Sequence, residues 1–144
     1  MRIELISVDR NDVVAIRTDA TLGYRGRFAC RVVSGEVIFV PYSAREDRLV
    51  PGKHISVETD QESVSGFRVL PPDTEPQMEA TAHPLDYRIS GVVAMNTNDE
   101  VFHIGVDGFS FVVDAEETGG VIAKLGERVG FVVHGLSLWD DSTT

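Results

Sequence analysis

The stretch Asp107-Gly108-Phe109-Ser110-Phe111-Val112-Val113-Asp114 decides the fold class. Phe109, Phe111 and Val113 share one parity, and Ser110 and Val112 share the other. Successive side chains of a strand point to opposite faces, so this segment offers one face to a core and one to water. The Asp-Gly pair ahead of it supplies the positive φ that a tight hairpin turn requires. Val101–Val106 lies just before that pair, and the two runs together predict a hairpin.

The same period of two recurs along the chain. Val129, Phe131 and Val133 alternate with Gly130 and Val132. Short alternating or branched apolar runs predict strands near Ile3–Val8, Val13–Arg17, Arg27–Val33, Glu36–Val40, His54–Thr59 and Phe67–Leu70. Further runs follow at Tyr87–Met95, Arg128–Val133 and Leu136–Trp139. Ser34-Gly35 is read as a second hairpin turn, and Asn96–Glu100 as a third. The one helix candidate is Asp114–Thr118, a single turn with acids at its start and Gly119-Gly120 at its end. The chain is therefore expected to be all-β.

Its 144 residues fit one ordinary domain or two small ones. Pro71, Pro72, Pro76 and Pro84 cluster between residues 71 and 86, where they favour extended chain and mark a connector. Residues 1–70 and 87–144 then form two β modules. Small modules bury a low fraction of their surface, so the two are expected to pack together. They also resemble each other. Gly35–Asp47 lines up with Asp107–Glu117, Leu49–Val57 with Ala123–Phe131, and Gly66–Leu70 with Gly135–Trp139. The order in each is hairpin, polar link, strand, short last strand, which suggests a tandem duplication.

The run Leu125-Gly126-Glu127-Arg128-Val129-Gly130-Phe131-Val132-Val133, entering a strand after a hairpin and a link, resembles the second part of an OB-fold barrel. The resemblance covers residues 87–139 closely and residues 3–70 loosely. It implies two OB-like small β-barrels in tandem, packed together. OB-folds as a group bind oligonucleotides and oligosaccharides, so the resemblance implies a binding module.

The −10 net charge falls entirely in residues 73–144, which carry thirteen acids against three Arg/Lys. Residues 1–72 carry ten of each. An anionic partner would have to meet the first half and a basic partner the second. In the first half, Arg25, Arg27 and Arg31 sit among aromatics in Gly23–Val33, a pattern suited to single-stranded nucleic acid. Parity turns Phe28 inward and leaves the arginines as a row without a stacking platform. The ordinary reading of that row is a solvated strand face paired with acids.

The histidines His54, His83, His103 and His134 show no ligand spacing on one element, although His103 and His134 both lie near acids in the second half. Cys30 is the only cysteine, so no internal disulfide can form. Asp114, Glu116 and Glu117 are read as helix-end electrostatics. No nucleophile, phosphate-loop or dinucleotide motif occurs. We expect no catalytic residue, no metal and no cofactor.

The leading expectation is a non-catalytic binding or adaptor protein with a protein partner or self-association. Nucleic-acid binding through Arg25, Arg27 and Arg31 is the first alternative, disfavoured by net charge. An enzyme with a site between the halves is the second. The alternating start Met1–Leu5, the absence of a ~20-residue apolar run and the lone cysteine lead us to expect a cytoplasmic protein without membrane contact.

Overall fold

Asp107 and Gly108 take φ of 47° and 90°, and the predicted hairpin turns on them. The computed structural model describes residues 1–16, 21–41 and 46–141. Among these the strands are β1 (Arg2–Ile16), β2 (Thr21–Ala29), β3 (Ser34–Val40), β4 (His54–Asp60), β5 (Ser63–Val69), β6 (Gln77–Ala80), β7 (Tyr87–Thr97), β8 (Val101–Val106), β9 (Phe109–Asp114), β10 (Arg128–His134) and β11 (Ser137–Asp140). The chain is all-β, as its periodicity predicts.

The strands form two curled sheets packed together. One is a closed five-strand barrel in the order β1-β2-β3-β11-β4, with β4 returning to β1. All its pairings are antiparallel except β3 with β11. The other runs β5-β10-β7-β8-β9, with β6 added beside β7. It curls as a half-barrel, and β5 and β9 are its ends. One of the two packed barrel-like units is thus closed and the other is a half-barrel.

Sheet membership crosses the 71–86 connector in both directions. β5 precedes the connector, yet it pairs with β10 in the second sheet. β11 follows it, yet it lies between β3 and β4 of the barrel. The pairings otherwise match. β1 bonds β2 and β4 as β7 bonds β8 and β10. β2 bonds β3 as β8 bonds β9, and β4 bonds β11 as β10 bonds β5. Each set of four strands takes its fifth from the other part of the chain.

Parity holds in both sheets. Phe28, Phe39, Phe111, Val113, Val129, Phe131 and Val133 are fully buried, while Ser110 and Val112 face outward. The core is continuous between sheets. The Phe28 ring of β2 lies 6.1 Å from Tyr87 and 6.4 Å from Phe109, both in the second sheet. Tyr87 bolts the two together by donating its hydroxyl to the Glu36 carbonyl at 2.7 Å. Burial raises the pKa of that hydroxyl, so the phenol stays a donor.

Four local expectations change. Ser34-Gly35 opens β3, and the turn lies earlier, where the Cys30 amide bonds the Val33 carbonyl. Gly35 is needed for close approach, because a Cβ there would stand 2.2 Å from the Tyr87 hydroxyl. The two strands expected over Ile3–Val8 and Val13–Arg17 are one, β1, irregular between Val8 and Val13; Arg17 lies outside the described residues. Asp114–Thr118 is one hydrogen-bonded turn rather than a helix, closed by reciprocal backbone-to-carboxylate bonds between Asp114 and Glu117. Within the connector, residues 77–80 pair with β7 as β6, since Met78 has an apolar site to fill at 3% exposure.

Candidate functional site

Three places bear on function: the arginine row of β2, the seam along the outer edge of β9, and a hydrogen-bond chain on the second sheet's outer face.

On β2, Tyr24 and Phe28 point into the barrel and Arg25 and Arg27 point out. Each exposed guanidinium faces an acid of the next strand at 3.6 Å, Arg25 with Asp12 and Arg27 with Glu36. Arg31 is exposed in the turn after β2. Arg10, unremarked in the sequence, lies 5.5 Å over the buried Tyr24 ring and donates to the Leu49 carbonyl at 2.6 Å.

The seam lies along the unpaired edge of β9, where the end of β4 and the link from β4 to β5 approach it. Side chains span it. The Gln61 amide donates to the Val112 carbonyl at 2.7 Å, and the Thr59 hydroxyl donates to the Ser110 carbonyl. An open sheet edge carries unpaired backbone groups, and these bonds cap some of them. The groove along the seam has a volume of about 560 Å³, and Asp60, Glu62, Asp114, Glu116 and Glu117 stand among its walls. Burial raises the Glu117 pKa above the ordinary carboxylate value, and the Asp114 and Asp60 charges push the same way.

The third place joins residues that sequence reasoning did not connect. His134, at the end of β10, directs Nδ1 at the Asp86 carboxylate at 2.8 Å and Nε2 at the Ser65 hydroxyl at 2.7 Å. Asp86 also accepts the Gly135 amide at 3.3 Å. A carboxylate only accepts, so Nδ1 carries the proton; in the neutral imidazole Nε2 presents its lone pair, and the Ser65 hydroxyl donates to it. Ser65 lies opposite Val132, and Arg68 lies opposite Gly130, with a register shift between. Gly66, at φ 66°, absorbs the extra residue and leaves Ser65 and Arg68 on the same outer face. The sequence signal was faint, because the partners are 48 and 69 residues apart.

His103 stands on β8, separated from β10 by β7, so His103 and His134 do not approach. Among the described residues no group of three or more His, Cys, Asp or Glu is placed to hold a metal ion. No helix among them is long and apolar enough to cross a membrane.

Compared with protein-family models, curated proteins and solved structures, the chain matches none. Its class rests on its own geometry: an all-β protein of a closed five-strand barrel and a curled sheet, compatible with an OB-like fold.

Proposed function

We propose that this chain is a cytoplasmic binding protein, built from two OB-like modules related by duplication, that recognises a basic, extended protein segment along the acidic seam of the second sheet. One observation carries this reading. The seam is a groove between the β9 edge and the link from β4 to β5, bridged by side chains instead of a partner strand, and five carboxylates stand along it. Extended segments add readily to sheet edges, and alternate Lys or Arg side chains would meet the acids. Complementary potential speeds such encounters and makes them salt-sensitive. The matching strand order of the two sheets supports the duplication. The nucleic-acid alternative has less support, since Arg25 and Arg27 already face Asp12 and Glu36.

Isothermal titration of the full chain with extended peptides of alternating Lys and Val tests the reading. We expect binding at low salt, weakened severalfold at high salt and by Asp114→Asn with Glu116→Gln. Undetectable binding at low salt, or binding indifferent to both substitutions, removes it.

A further inference from the structure

We propose that Ser65, His134 and Asp86 form a nucleophilic site for acyl transfer from small activated esters. Three features point there together. The two nitrogens of His134 divide correctly between carboxylate and hydroxyl, at 2.8 and 2.7 Å. Asp86 is held from its other oxygen by the Gly135 amide, which fixes the imidazole plane. Ser65 stands exposed beside Gly66, itself exposed, so solvent and a small ester can reach this stretch of β5. A hydroxyl becomes a competent nucleophile when an adjacent base takes its proton and a third group orients that base.

The step balances without any further reagent. Ser65 Oγ forms a bond to the ester carbonyl carbon while its proton passes to His134 Nε2. The tetrahedral intermediate collapses, the ester C–O bond breaks, and the leaving alkoxide takes the proton from His134. Water, deprotonated by the same nitrogen, then attacks the acyl-Ser65, releasing the carboxylic acid and restoring the hydroxyl. Arg68 lies on the same face, its Nη1 donating to the Gly66 carbonyl at 3.2 Å, and Arg88 stands in the same cross-strand row as Ser65 through Val132, so both add positive potential to the face on which the oxyanion develops. Ser65 and His134 are the catalytic residues of this site, and Asp86 is a positioning residue.

The full-length protein is incubated with p-nitrophenyl acetate, and separately with a fluorophosphonate probe followed by peptide mass spectrometry. We expect one adduct, on Ser65. Turnover should fall about a hundredfold in Ser65→Ala and in His134→Gln, the usual range for losing a general base. Asp86→Asn should lower kcat and leave KM unchanged, and Asp86→Glu should restore part of the loss. Ser65 is exposed, so Ser65→Ala folds, and its thermal melt is the control. The proposal is overturned by adducts on other serines, by turnover that survives Ser65→Ala, or by an unreactive protein in which these substitutions shift only the melting temperature.

Discussion

Glu117 shows how a single side chain reports on the seam. Its carboxylate accepts the Asp114 amide, which favours ionisation, yet burial dominates and raises its pKa. The folded state therefore holds a proton that the unfolded chain has lost. Stability contributed by Glu117 is present at low pH and is lost as pH rises from the ordinary 4.5 through the raised value. In urea titrations at a series of pH values, Glu117→Gln should flatten that decline. Parallel curves for the two proteins would contradict the assignment. At this scale the sequence was partly legible. The inward parity of Phe109, Phe111 and Phe131 and the Asp107-Gly108 turn were readable because they depend on neighbours in the chain. The Ser65–His134–Asp86 chain was not, because it exists only once β5, β10 and the start of β7 lie side by side.

Among the strands, β11 is the one whose place is least expected. It is four residues long, lies parallel to β3 and antiparallel to β4, and closes the barrel. Its last residue, Asp140, is fully buried and meets the Arg48 Nε at 2.7 Å. Arg48 comes from the short 3-10 turn Glu46–Arg48, so the ion pair ties β11 to the link between β3 and β4. Removing one partner of a buried pair leaves an uncompensated charge, a loss of about 3–5 kcal/mol. Arg48→Ala should lower the unfolding free energy by that amount, and the paired replacement Arg48→Met with Asp140→Leu should cost less. Equal and additive losses would show that no such coupling exists. The strand itself was foreseen at Leu136–Trp139. Its sheet was not, because Gly66–Leu70 and Gly135–Trp139 carry nearly the same pattern and local periodicity is silent on which partner each chooses.

For the molecule as a whole, the exchange of β5 and β11 makes the two sheets interdependent. The Phe28, Tyr87 and Phe109 cluster and the Tyr87–Glu36 bond add to that dependence. Fragments 1–70 and 71–144 should each lack a cooperative thermal transition alone, and they should co-purify with restored near-ultraviolet circular dichroism when mixed. A cooperative transition in either fragment by itself would refute this. The intact chain is expected to unfold in one step, since neither sheet retains all its strands without the other.

The late arrival of β11 also has a consequence during synthesis. Until Ser137–Asp140 is made, β3 and β4 have no strand between them, although both are complete by Asp60. At a ribosomal pace of roughly 5–20 residues per second, that slot stands open for several seconds. A nascent chain in this state exposes two sticky edges to its neighbours on the same polysome. Holdase chaperones that bind extended segments would find their substrate there, until Ser137–Asp140 arrives to fill the slot.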